Sequence, residues 1–115
     1  MLLATTKVLL DRDGVEIQFN GKPLSISRAL CAALDGIGEK TTFEEKAKRF
    51  KLACKIYDEP LVEITVEEAS FLQKVVNEFF TSPLVVVPIH NLIEDASKAQ
   101  GSKKNGKDKD ARLDG

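Results

Sequence analysis

His90 is the only imidazole in the chain, and Glu94, one helical turn further on, is its nearest carboxylate. General acid–base or metal chemistry at His90 needs partners that local spacing does not supply, because no Asp, Glu or Cys lies within the four residues before it. Asp11, Asp13 and Glu16 surround Gly14 and invite a calcium-loop reading. That loop places its glycine two positions later, so a tight turn accounts for the grouping better. Carboxylates also pair at Glu44-Glu45, Asp58-Glu59 and Glu67-Glu68. Two of those pairs fall in first helical turns, where the helix dipole favours negative charge without any active site. Cys31 and Cys54 lie 23 residues apart, with no second Cys or His at metal-ligand spacing, and both fall inside apolar helical patterns. They read as buried free thiols of a protein in a reducing compartment. No nucleophile elbow, phosphate-binding glycine loop or paired-histidine zinc motif is present. The expectation is a chain that is not an enzyme and takes no metal or cofactor.

The elements that must position these groups are set by periodicity. Val8-Leu9-Leu10 precedes Asp11-Arg12-Asp13-Gly14, after which Val15, Ile17 and Phe19 alternate with polar residues. This predicts a β-hairpin, with Asn20-Gly21 as a second turn and Pro23 limiting the next segment to a bend or a very short edge strand. Ser25 is placed to cap a helix through Leu34 that Gly36 and Gly38 end. Thr42-Phe43-Glu44-Glu45 fits a capping box and opens a second helix to about Asp58. On it Phe43, Ala47, Phe50, Cys54 and Tyr57 form one apolar stripe, expected to face the core. Val62-Glu63-Ile64 reads as one more short strand, and Thr65-Val66-Glu67-Glu68 starts a third helix with Ala69, Leu72, Val75, Val76, Phe79 and Phe80 on its apolar face. The segment from Ser82 to Glu94 carries helical spacing interrupted by Pro88 and three consecutive valines, which leaves a kinked helix or a strand.

At 115 residues the chain fits one small domain. It has 17 Lys and Arg against 18 Asp and Glu, a formal net charge of −1 that conceals a division. Residues 97–115 carry +3 and residues 1–96 carry −4, which argues against a body built as a general phosphate-binding surface. The predicted organisation is a single α+β domain over 1–96, an N-terminal β-hairpin packed with three or four short α-helices. A disordered Lys-rich tail is expected over 97–115, where no apolar residue larger than Ala precedes Leu113. The start of the chain lacks the charge and apolar run of a signal peptide, and the longest apolar stretch, Pro83 to Ile89, is far short of the roughly 20 residues a membrane helix needs. A cytoplasmic protein without membrane contact is expected.

The same residues suggest two surfaces. A core this small absorbs a limited number of large side chains, so the apolar excess near the C-terminus predicts a protein-interaction surface. Its candidate residues are Phe79, Phe80, Leu84, Val86, Ile89 and Leu92, used for self-association or for a protein partner. The alternative is a nucleic-acid interface on the basic face of the second helix, Lys46, Lys48, Arg49, Lys51 and Lys55, with the tail as an electrostatic tether. Residues 58–69 carry five anions and no cation, so this basic helix and that acidic stretch are complementary, within or between chains.

The order of signals, D-x-D-G and N-G-K-P-L, then E-E-K-A-K-R-F-K-L-A-C-K-I-Y, V-E-I, T-V-E-E-A-S-F-L-Q-K-V-V and S-P-L-V-V, resembles a group of small proteins encoded by bacteriophages and prophages. The likeness spans residues 11–94. It implies an accessory protein in the cytoplasm of a bacterial host, a terminal helix over Ser82 to Glu94, and no transferable functional residues.

Overall fold

The computed structural model describes residues 1–36 and 41–105, with side chains described to Lys98. The chain runs β1 (Leu2–Ala4), β2 (Gln18–Phe19), β3 (Lys22–Pro23), α1 (Ile26–Asp35), α2 (Phe43–Ile56), β4 (Leu61–Glu63), α3 (Val66–Phe79) and α4 (Pro83–Asn105). The architecture is α+β: short two-stranded pairings and four helices.

β2 and β3 pair antiparallel across Asn20-Gly21, both at positive φ (52° and 79°), a backbone that Asn and Gly adopt with least strain in a two-residue hairpin turn. The predicted strand over Val8 to Leu10 does not extend into a regular ladder with Val15 to Phe19. Only a single bridge joins Leu10 to Glu16. Instead the Leu9 N–H donates to Leu24 O at 2.9 Å, the Leu24 N–H to Ile17 O at 2.8 Å and the Ile17 N–H to Leu9 O at 2.9 Å. Three short segments thus close on one another in a triangle, which satisfies their backbone groups without a flat sheet. At the turn before it, the Asp11 carboxylate accepts from the backbone N–H of Asp13 and Val15, so its oxygen serves the turn.

β1 pairs antiparallel with β4, Leu3 opposite Val62, with both side chains buried. Beyond β1 the buried Thr5 extends the connection: its hydroxyl donates to Glu59 O, its N–H donates to Pro60 O, and its carbonyl accepts from the Ser27 N–H at the start of α1.

α1 begins at Ser25, whose hydroxyl accepts from the Arg28 N–H, and buries Ile26, Ala29, Leu30, Ala33 and Leu34. Its small residues let α2 and α3 pack on either side of it. α3 opens with a complete capping box: the Thr65 hydroxyl accepts from the Glu68 N–H, and the Glu68 carboxylate accepts from the Thr65 N–H. At Thr42 only the first half forms. The Glu45 carboxylate is taken by Arg49 instead, at 3.0 Å.

The segment 83–94 is helical and runs through Pro88 as part of α4, which packs on α3 and β1. Val85, Ile89 and Ile93 form its buried stripe. Three such burials, at roughly 1.5–3 kcal/mol each, outweigh the about 3 kcal/mol that an interior proline costs. The helix continues past Ala96, the predicted edge of the body, to Asn105. The last part of the predicted tail, residues 106–115, lies outside the described residues. Among the described residues no helix is long and apolar enough to cross a membrane.

Candidate interaction surface

α2 has two apolar faces, and the fold uses the less apolar one. Its buried residues are Arg49, Leu52, Ala53 and Ile56, packed toward α1. The stripe expected to enter the core points outward instead: Phe43 is 80% exposed, Phe50 68% and Tyr57 66%, with Cys54 exposed between them. The reason lies in Arg49. Its guanidinium donates to the carbonyl oxygens of Ala33 and Leu34, at 3.3 and 3.5 Å, in the last turn of α1. It also pairs with Glu45 and lies 5.6 Å from the Phe71 ring centroid. An arginine satisfied at every side can be buried. Turning the aromatic stripe inward would take Arg49 away from those α1 carbonyls and leave Leu52 and Ile56 in water.

The same arrangement engages three of the five cations of the predicted phosphate-binding face within the chain. Arg49 is 7% exposed and acts as an interhelix clamp. Lys48 sits 4.3 Å over the Phe71 ring, and Lys55 pairs with Glu68 at 3.0 Å. That last pair joins the basic helix to the acidic stretch within the chain. Lys46 and Lys51 make no ion pair among the described residues, and they flank the outward stripe on either side.

The C-terminal apolar residues distribute differently from expectation. Ile89 is fully buried; Phe80, Leu84, Val86 and Leu92 are half-buried; Phe79 is 37% exposed and Val87 50%. Phe80 packs edge-on against Phe19 and Phe79, and Phe79 lies on Gly36 at the end of α1. Most of this apolar surface is therefore spent on the chain itself, whereas the α2 stripe is not. The signal for this was present in the sequence: α2 carries two overlapping apolar periodicities, Phe43-Ala47-Phe50-Cys54-Tyr57 and Leu52-Ala53-Ile56, and a helix on a small domain's edge can bury only one of them.

Beside the stripe, Cys31, Asp35, Phe50, Ala53, Cys54 and Tyr57 line a groove of about 300 Å³ between α1 and α2. It adjoins a broader cleft of about 630 Å³ reached past Tyr57, with Arg28, Thr6 and Asn20 on its walls. Arg28 there is committed to the backbone, donating to Pro23 O at 2.8 Å. Neither thiol matches the expected burial in full. Cys31 is half-buried, its Sγ directed at Ala53 O, and burial together with the nearby Asp35 pushes its pKa up to about 11. Cys54 is on the surface, because it belongs to the stripe that α2 turns outward.

His90 is exposed on α4, 3.9 Å from Glu94, whose carboxylate accepts from the Gln73 amide at 3.0 Å. Among the described residues no group of three His, Cys, Asp or Glu side chains could hold a metal ion. No family model, curated protein or solved structure matches the chain.

Proposed function

We propose that this chain is a non-catalytic accessory or regulatory module of the phage type, working in a bacterial cytoplasm through protein–protein contact on the outward face of α2. One observation carries the reading. Three aromatic side chains, each at least 66% exposed, stand in line on a helix whose opposite face is already buried in the chain's own core. Exposed single apolar residues are ordinary, but an aligned aromatic row rimmed by Lys46 and Lys51 has the composition of an interface centre with a charged edge. The nucleic-acid alternative rests on less, since three of its five cations are engaged within the chain.

The test is site-specific photo-crosslinking in a bacterial host, with the photoreactive residue in place of Phe50 and, as a control, in place of Glu16. A polypeptide adduct from position 50 that is absent from position 16 is expected. No polypeptide adduct at position 50, or identical adducts from both sites, defeats the reading. Retention of the full chain on DNA or RNA at low salt, lost on charge reversal at Lys46 and Lys51, would favour the alternative.

A further inference from the structure

We infer that the occupant of the α2 outward face is a second copy of this chain, with the two α2 helices docked antiparallel so that each Phe43 inserts between Phe50 and Tyr57 of the other copy; this rests on the protein-contact reading above. The stripe advances by four, three, four and three residues from Phe43 through Ala47, Phe50 and Cys54 to Tyr57. That is the spacing of a coiled-coil seam, and it asks for another helix rather than a strand or an irregular loop.

Residue size then selects the orientation. Along the seam the aromatics Phe43, Phe50 and Tyr57 alternate with the small Ala47 and Cys54. A parallel, in-register pair would stack ring on ring at one level and leave a void at the next. An antiparallel pair places Phe43 against Cys54, and Ala47 against Phe50, of the opposite copy. Phe43 and Phe50 of each copy then meet a small residue, with Tyr57 flanking the inserted Phe43, which is how facing positions interdigitate without voids.

The receptor for the ring is already built. Phe50, Ala53, Cys54 and Tyr57 stand at i, i+3, i+4 and i+7, the four corners into which a knob from a facing helix fits, and they line the groove of about 300 Å³ beside α1. Charge agrees with the same register. Glu44 and Lys51 flank the seam on one edge, and the antiparallel docking sets Glu44 of each copy beside Lys51 of the other. At about 150–250 Å² per aromatic, the exposed rings of two copies bury on the order of 1,000 Å², the lower bound for a specific interface. The dimer is therefore expected to be reversible and dependent on concentration.

The experiment uses the full chain in sedimentation equilibrium and in thiol cross-linking. The wild type should pass from monomer to dimer as concentration rises. F50D should weaken that association by about thirtyfold or more, with its thermal unfolding at low concentration unchanged because Phe50 is exposed in the monomer. Under mild oxidation the Cys54 thiols of an antiparallel wild-type dimer lie about 16 Å apart along the helix axis, too far for a disulfide. F43C in a Cys31→Ser background brings the introduced thiol level with Cys54 of the other copy and should give a covalent dimer that C54A abolishes. A wild type that stays monomeric at the highest soluble concentration overturns self-association. A Cys54–Cys54 disulfide in the wild-type dimer overturns the antiparallel register. If the monomeric result comes with a polypeptide adduct from the photoreactive residue at position 50, the protein-contact reading survives and only its assignment to a second copy fails.

Discussion

The Arg49 guanidinium on α2 donates to the carbonyl oxygens of Ala33 and Leu34, at 3.3 and 3.5 Å, at the end of α1. This contact holds the two helices in register and decides which face of α2 meets solvent. Arg49→Ala removes it and leaves both carbonyls buried without that donor, a loss of about 2–4 kcal/mol in chemical denaturation. Arg49→Lys should recover less than half, because an ammonium does not reproduce the planar fork that serves Glu45 and the carbonyls together. An unchanged unfolding midpoint for the alanine variant would contradict the clamp.

Glu68 ties the start of α3 to α2. Burial works to raise its pKa, but the Thr65 N–H, the Lys55 ammonium and the Thr65 hydroxyl favour the carboxylate and together hold it below the ordinary value of 4.5. The unfolded chain therefore binds this proton more readily than the folded one. The contribution is complete above the unfolded value, declines as pH falls toward the folded value, and is lost below it. Stability measured against pH should drop on acidification, and Glu68→Gln should flatten the part of that slope nearest pH 4 while preserving a neutral version of the capping box. A Gln variant with the wild-type slope would remove Glu68 from the account.

Gly36 ends α1 beneath the Phe79 ring. A Cβ at position 36 would lie 2.2 Å from Phe79 Cε1, so Gly36→Ala must displace the ring. Because that ring is partly exposed it can swing away, and the cost should stay near 1–2 kcal/mol. Phe79→Ala in the Gly36→Ala background should then cost less than in the wild type. Strict additivity in this double-mutant cycle would mean that the two residues do not touch in solution.

The two thiols should react at different rates. Cys54 is exposed, whereas Cys31 is half-buried with its pKa pushed up to about 11, so at pH 8 it holds very little thiolate. At concentrations where the chain is monomeric, iodoacetamide followed by peptide mapping should find Cys54 modified well before Cys31. Equal rates would show that the groove between α1 and α2 opens more than the packing allows.

Local signals were readable wherever a residue's partner lies within a few positions. Asn20-Gly21 specified its turn, Ser25 and Thr65 specified helix starts, and the three- and four-residue spacing of Ala69, Leu72, Val75 and Val76 specified the buried face of α3. The helical spacing of Val85, Ile89 and Ile93 was equally plain. Whether it prevailed over Pro88 depended on α3 and β1 being there to bury it.

By itself, then, the sequence determined the α+β class, the caps and turns, and the presence of more apolar surface than one small core absorbs. Tertiary structure decided where that surplus lies. The partners of Arg49 are carbonyls at the end of another helix, and those of Leu3 sit in a strand more than fifty residues away. Such partners exist only once the chain has closed. Periodicity alone offers two faces of α2 and favours the more apolar one, but a buried guanidinium that must find its acceptors selects the other, and it turned the aromatic row toward solvent.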